Sequence, residues 1–293
     1  MRVVLTGASG QLGAYLIDAL RRADHEVEAW SGREAGSRGG VALLPIDLTD
    51  SEAVSRALER ADPEAILHAA AISSAEAVRR DPDRGHSVNV EATSRLAAWC
   101  VQHNRRLVFT STDLVFDGRK TWNREEDPAE PILAYGKTKR EAEPLVTSVP
   151  RGLVARVSLL YGPSRCGRLG FFDQTLAGLK RGEAQTLFED EFRTPLDLAT
   201  AALLLAHLLK SEVTGLIHVA GRERVSRYDL IRRIAVELGL DPQFVRGNRR
   251  VDVVLPEPRP ADVSLDTNRL WSLFPDVPVP SIEEAVRGLH EAG

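Results

Sequence analysis

The sequence predicts an α/β fold, a doubly wound parallel sheet with a smaller C-terminal lobe, on three observations. Short apolar runs such as Val3-Val4-Leu5 have the character of strands buried on both faces, as strands of a parallel sheet are. Through the first half of the chain such runs alternate with segments of helical spacing across short connections, which places helices on both faces of one sheet. Between the first run and the first helical segment, whose apolar side chains are Leu12, Leu16, Ile17 and Leu20, stand Gly7, Gly10 and Gly13. A strand turning tightly into a helix through spaced glycines is the opening unit of a Rossmann-type sheet.

Each glycine has a separate reason. Gly7 permits the sharp turn, Gly10 leaves the backbone bare where a phosphate approaches, and Gly13 lets the helix, about 11–23, lie close to the strand. The N–H groups at the helix start have no partner within the helix and face an anion. Gly7, Ser9, Gly10, Gln11, Leu12 and Gly13 are therefore candidate dinucleotide ligands. The alternative is a purely structural turn.

A second strand spans 26–30, and its end is where such a fold places the residue that meets the adenosine ribose. An acid there would bond the 2′-hydroxyl and repel a 2′-phosphate. This chain has Ser31, Gly32 and Arg33, with Arg38 following, which favours NADP(H), with NAD(H) as the alternative cofactor. A third strand is expected over 41–46, running into Asp47-Leu48, and Thr49 or Asp50 caps a helix through about residue 60. A fourth, 65–68, runs into Ala69-Ala70-Ala71, small residues that leave room for a flat ligand at the strand's carboxyl end. A helix over about 86–103 leads to a fifth strand, 106–110, whose end carries the hydroxyls of Thr110, Ser111 and Thr112, then Asp113.

After a polar loop, Tyr135 and Lys139 stand four apart, on one face of a helix. A lysine ammonium beside a phenol stabilises the phenolate, which lowers the tyrosine pKa and lets Tyr135 exchange a proton with a carbonyl oxygen near neutral pH. Ser111 or Thr112 is placed to hold that oxygen. Pro144 is expected to kink or end this helix, beyond both residues.

A sixth strand covers 153–156, and the alternation then loosens. Residues 1–161, joined by 197–220, are expected to form the dinucleotide-binding domain, with 162–196 and 221–293 mainly a substrate-binding lobe. Helices are expected at about 171–180, 197–210 and 226–238, with a last one opening at Pro280-Ser281, and strands near 185–188 and 215–219. Arg259, in the proline-rich stretch 256–260, and Arg193, before Thr194-Pro195, are candidates for a substrate pyrophosphate or, equally, surface or interlobe arginines.

Composition excludes other classes. The chain is 43% hydrophobic and 27% charged, an ordinary globular balance. A formal net charge of −4 provides no general basic surface for nucleic acid or an anionic membrane, and no apolar run is long enough to span a bilayer. Cys100 and Cys166 are the only cysteines, too few for a disulfide framework, and the scattered histidines offer no metal-ligand spacing. No signal-type segment precedes the first strand, so a cytoplasmic protein of a reducing compartment is expected.

Thr6 to Gly13, Ser111-Thr112-Asp113 and Tyr135-x-x-x-Lys139 together resemble the extended short-chain dehydrogenase/reductase superfamily. Within it, Ser111 to Gly118, Tyr135 to Lys139 and Arg259 to Asp266 resemble the dTDP-4-dehydrorhamnose reductase family in order and spacing over nearly the whole chain. The resemblance implies reduction, with NAD(P)H, of the 4-keto group of a nucleotide-linked 6-deoxyhexose. It implies that Thr112 polarises the keto oxygen, that Tyr135 is the general acid, and that Lys139 lowers the tyrosine pKa while holding the nicotinamide ribose. Asp47-Leu48 would lie beside adenine, and Ala69 to Ala71, with Thr110, would line the cofactor. Ser111, Asp113, Arg193 and Arg259 fall to the nucleotide-sugar substrate, and a homodimer is compatible by resemblance only.

Three positions depart from the family's pattern: Leu114 where it usually has Tyr, Leu159 where it often has Trp, and Asp262 where Asn is frequent. The first two remove a phenol and a flat stacking face from the expected sugar pocket, which leaves the particular sugar open. The third adds a charge that Arg259 or another base must offset. Two other readings stand beside the reductase. A nucleotide-sugar epimerase or dehydratase would recycle a tightly held NAD, and the absent acid at Ser31 counts against it. A catalytically silent NADP-binding regulatory subunit is opposed by the intact Thr112, Tyr135 and Lys139.

Overall fold

The computed structural model of the chain describes residues 1–291. β1 (Arg2–Thr6) leads through the glycine turn to α1 (Gln11–Arg22), and β2 (Glu26–Trp30) pairs with β1 in parallel, Thr6 level with Trp30. A short antiparallel hairpin, β3 (Gly36–Arg38) and β4 (Val41–Leu44), makes one edge of the sheet, turning at Gly39 and Gly40, both at positive φ (54° and 76°). The strand expected over 41–46 is present as 41–44, and the short strand before it, which was not expected, pairs with it because the Gly-Gly pair makes a two-residue hairpin turn.

α2 (Ser51–Ala61) is capped by Asp50, whose carboxylate accepts from the Ala53 N–H at 2.9 Å, and β5 (Ala65–His68) follows, all four residues buried. The helix expected over 86–103 begins earlier and is broken. α3 (Ala75–Arg80) and α4 (Pro82–His86) meet at Asp81, a π turn covers Ser87–Glu91, and α5 (Ala92–Gln102) completes the run. Asp81 supplies the break by capping the second helix, and Pro82 at its first position has no N–H to offer the first. β6 (Arg106–Thr112) is buried throughout and runs two residues past its expected end, carrying Ser111 and Thr112 on the strand itself. α6 (Ala134–Thr147) holds Tyr135 and Lys139. Pro144 lies inside α6 without ending it, since so near the terminus its missing N–H forfeits a single backbone bond. β7 (Gly152–Val157) then pairs with β6.

Across the sheet stand the strand Gly215–Val219, then β7, β6, β5, β1, β2, β4 and β3, parallel except at the β3–β4 edge. The order reverses at β1, which has β2 on one side and β5 on the other. The crevice above their carboxyl ends is where open α/β sheets bind ligands.

α7 (Phe171–Lys180) and α8 (Leu198–Lys210) follow, then α9 (Arg227–Glu237), with Asp197 and Ser226 serving as caps for the last two. One face of the sheet is covered by Leu16, Ile17 and Leu20 of α1 with Leu204, Leu205 and Leu208 of α8. The other is covered by Leu58 of α2, Leu96 of α5 and Val146 of α6. A third apolar cluster lies outside both faces: Phe172 and Leu176 of α7 pack with Leu230 and Ile234 of α9 and with Ile282 and Val286 of the last helix, Ile282–Glu291. Gln185–Phe188 and Val245–Asn248 pair beside it. Residues 292–293 of the expected lobe lie outside the described residues. No helix among the described residues is long and apolar enough to cross a membrane.

Candidate active site

The glycine turn is packed too tightly for any larger residue at its two ends. Gly7 has φ +73°, and a Cβ on it would stand 2.7 Å from the Ala70 nitrogen; a Cβ on Gly13 would stand 2.2 Å from the Gly7 carbonyl oxygen. Beneath the turn the buried His68 bridges Thr6, 2.7 Å from Nδ1, and Thr93, 3.0 Å from Nε2, while Thr6 Oγ1 accepts the Ala70 N–H at 3.1 Å. Burial, then Lys139, pushes this imidazole down to about 3, so it braces the end of β1 against α5 as a neutral group. α1 starts without an acidic residue in its first turn and without a side-chain cap on its N–H groups, leaving the positive end of its dipole for an anion.

Above the turn opens a cavity of about 860 Å³. Gly7, Ser9, Gly10, Gln11, Leu12 and Gly13 line it, as do Ser31 and Arg33 after β2, Asp47 and Leu48 after β4, and Ala69, Ala70 and Ala71 after β5. Thr110 and Ser111 of β6 and Tyr135 and Lys139 of α6 complete this wall. Every residue read from the sequence as a cofactor ligand therefore faces one space. The cations on it are Arg33, Arg84, Lys139 and Arg168, and the one carboxylate is Asp47. Hydrogen bonds from the backbone and hydroxyl of Thr49 hold that carboxyl below its usual range, with Arg33 and Arg84 adding to the effect. Arg38 is elsewhere, bound to Glu34 at 2.8 Å and to the carbonyls of Ala8 and Cys166.

Tyr135 and Lys139 are 9% and 1% exposed. The phenol is not acidified by the lysine, contrary to expectation. Burial and then Asp113 raise its pKa well above the usual tyrosine value, and the Thr112 hydroxyl is the group that opposes them. Lys139 Nζ lies 3.8 Å from the centre of the Phe109 ring, so the ammonium is held on an aromatic face. Burial pushes its pKa down to about 7, with Glu143 resisting. At neutral pH Tyr135 keeps its proton.

The expected substrate ligands do not gather in the same way. Ser111 reaches the cavity, but its hydroxyl is spent on Glu143 at 2.7 Å, and Glu143 also takes a bidentate pair from Arg156, both bonds 2.8 Å. Asp113 accepts from Arg193 at 2.7 Å and from Ser158 at 2.8 Å. Arg193, 3% exposed, is locked between Asp113 and Glu191, so it is an internal strut and not a free pyrophosphate ligand. Arg259 places two nitrogens on Glu191, at 2.8 and 2.9 Å, and Arg227 adds a third contact. Burial alone would raise the Glu191 pKa, but Arg259, Arg227 and Arg193 together hold it far below the usual carboxylate value. The charge of Asp262 is met by Arg224 at 2.6 Å, not by Arg259. Leu159 packs against the third apolar cluster.

Sequence reasoning missed Arg84, Phe109 and Arg168, and also Asn89. The Asn89 amide accepts from Ile72 N–H at 2.8 Å and donates to the Ile72 carbonyl and to Thr138, clamping the loop after β5 to α6. An amide residue in the middle of an apolar helical segment, where its intrinsic preference is poor, was the available signal.

The profile of a family described as the RmlD substrate binding domain matches residues 1–291. The probable low-salt glycan biosynthesis reductase Agl14 of Haloferax volcanii is 30% identical over 274 residues, 92% of this chain and 91% of that protein. The methionine adenosyltransferase 2 subunit beta of Bos taurus is 30% identical over 280 residues, 93% of this chain and 82% of that one. Among solved structures, dTDP-4-dehydrorhamnose reductase from Bacillus anthracis, in complex with NADP, has a TM-score of 0.87 over 100% of this chain and 99% of its own, at 22% identity, which is a likeness of fold.

Proposed function

The chain belongs to the RmlD substrate binding domain family, and on that premise we propose that it is an NADP(H)-dependent oxidoreductase that reduces the 4-keto group of a nucleotide-linked 6-deoxyhexose. One observation carries the reading. A buried phenol that keeps its proton at neutral pH stands beside the Thr112 hydroxyl, on the wall of a cavity shared with a glycine turn and a helix N-terminus.

The residues present fit a phosphorylated dinucleotide. The glycine turn is a cradle that a Cβ at Gly7 or Gly13 would fill, and three arginines, Arg33, Arg84 and Arg168, face Asp47 alone. A 2′-phosphate adds about −1.5 to −2 charge at pH 7, so the surplus of cations supports NADP(H) over NAD(H). When bound, the reduced nicotinamide supplies hydride to C4 of the sugar. The chain's own residues orient and protonate: the Thr112 hydroxyl, which donates to Asp113 at a long 3.2 Å in the structure, turns to hold the keto oxygen by a hydrogen bond, and Tyr135 Oη donates its proton to that oxygen as negative charge develops there. A phenol with a raised pKa suits this direction, in which it must hold a proton and then give it. Lys139, one helical turn along, offers positive charge to the phenolate that remains.

Following NADPH consumption with dTDP-4-keto-6-deoxy-L-lyxo-hexose, then with a panel of other 4-keto sugar nucleotides, tests the proposal. Stoichiometric oxidation with one of them is expected; tight NADPH binding without turnover of any would overturn it. A second reading, an NADP-binding subunit without catalysis of its own, would then stand. It is favoured by the bovine relative, a protein named as a subunit and as similar to this chain as the reductase from Haloferax.

A further inference from the structure

Residues 162–170 run from the short strand Leu160–Tyr161 to α7 and lie across the glycine turn and the start of α1. Gly162, at φ +131°, and Gly167, at φ +73°, let this segment bend as it does. It is fastened to the sheet domain at several points. Tyr15 donates its hydroxyl to the Pro163 carbonyl at 2.8 Å, and Arg165 pairs with Asp18 at 3.1 Å while covering the Tyr15 ring at 4.3 Å. Arg38 donates to the Cys166 carbonyl at 3.3 Å.

The remaining fastening differs in kind. Arg168 Nη2 donates to the carbonyl oxygen of Ser9, inside the glycine turn, at 2.6 Å. Its side chain lines the cavity with that turn, and among the described residues no carboxylate pairs with it, whereas Arg165, three residues earlier, is neutralised by Asp18. A guanidinium carries five N–H donors in a planar fork, and the Ser9 carbonyl and the Cys166 thiol beside it leave the other positions open. The fork of Arg168 thus stands at the anion-receiving end of α1 with its charge unmet, the condition in which an arginine takes a phosphate through two parallel hydrogen bonds.

We propose that Arg168 is a cofactor-binding residue which clamps the dinucleotide pyrophosphate from the lobe side, making 162–170 a strap that ties the cofactor to the C-terminal lobe. This rests on the nicotinamide-dinucleotide reading above.

The test measures dissociation constants of the full chain for NADPH, NADH and adenosine 2′-monophosphate, in the native protein, Arg168→Gln and Arg165→Gln. Losing a charge-assisted phosphate contact weakens binding about tenfold to a hundredfold. Arg168→Gln is expected to weaken NADPH and NADH by the same such factor and to leave the monophosphate, which has no pyrophosphate, unchanged. Arg165 fastens the same strap but does not line the cavity, and Arg165→Gln should leave all three within about twofold. Equal weakening by both variants would make the strap's position, not the Arg168 charge, the relevant quantity and would overturn the proposal. So would an Arg168→Gln protein that binds both dinucleotides as the native chain does. A native chain that binds neither dinucleotide overturns the cofactor reading itself, a result distinct from either.

Discussion

The cofactor cavity and the wall behind Thr112 use charge in opposite ways. In the cavity, Arg33, Arg84 and Arg168 have no carboxylate partner among the described residues, and Lys139 rests on an aromatic ring. Behind Thr112 the charges answer one another: Glu191 takes three arginines, Asp113 takes Arg193 and Ser158, and Glu143 takes Arg156 and Ser111. A cation beside open solvent costs little while it waits for a ligand, but a carboxylate removed from water must find its partner within the protein. Unpaired charge therefore points to where a ligand is bound, and paired charge to what holds the walls in place. By that criterion Arg33, Arg84 and Arg168 are the proposed ligand residues, and Arg193, paired with Asp113 and Glu191, is part of the scaffold.

The largest effect that would break this comparison is on stability. Glu191→Gln leaves Arg193, Arg227 and Arg259 without their shared counter-charge at a fully buried site and should destabilise the fold by about 3–5 kcal/mol in denaturant unfolding. Arg84→Gln, in the cavity, should stay within about 0.5 kcal/mol. Equal effects from the two would erase the distinction. An effect of similar total size, spread over several pH units, concerns pH. The Lys139 pKa is lowered on folding from 10.5 to about 7, so the unfolded chain binds the extra proton between these values. The stability attached to this group is fully present above 10.5 and is lost as pH falls through 7, with a slope between of about 1.4 kcal/mol per pH unit. Lys139→Met should remove that rise; an unchanged pH dependence would show that the ammonium is not desolvated as the geometry indicates. Smaller than either is selectivity. Arg33→Gln should weaken NADPH about tenfold and NADH hardly at all, and parallel losses for both would move Arg33 away from the 2′-phosphate.

What could be read in advance followed the range of the interaction. The glycine turn, the end of β2 and the Tyr135–Lys139 spacing are each set within a few residues, and the groups read from them line one cavity. The Asp81-Pro82 cap and the Gly39-Gly40 hairpin were equally local signals that the periodicity reading passed over. The partners of charged groups are another matter. Arg193 meets Asp113 across 80 positions of sequence and Arg259 meets Glu191 across 68, so a candidate phosphate ligand and an internal strut look alike until the fold is known. The direction of the Tyr135 pKa belongs to the same class, because it depends on burial, on Asp113 and on the Thr112 hydroxyl, neither residue on its own helix. Arg168 sits in an irregular segment between glycines, where neither helical nor strand periodicity marks a side chain as facing inward.

The central claim is that Tyr135 gives its proton to the substrate oxygen from a cavity that binds the cofactor independently of that proton. Its most direct measurement compares the native chain with Tyr135→Phe for NADPH oxidation on the accepted 4-keto sugar nucleotide, alongside NADPH affinity. The account predicts a fall in kcat of about 10²–10⁴ with NADPH affinity within about twofold, because the phenol oxygen is the only group removed and the glycine turn and its cations are untouched. A variant that turns over at the native rate, or one whose lost activity is matched by lost NADPH binding, would contradict it.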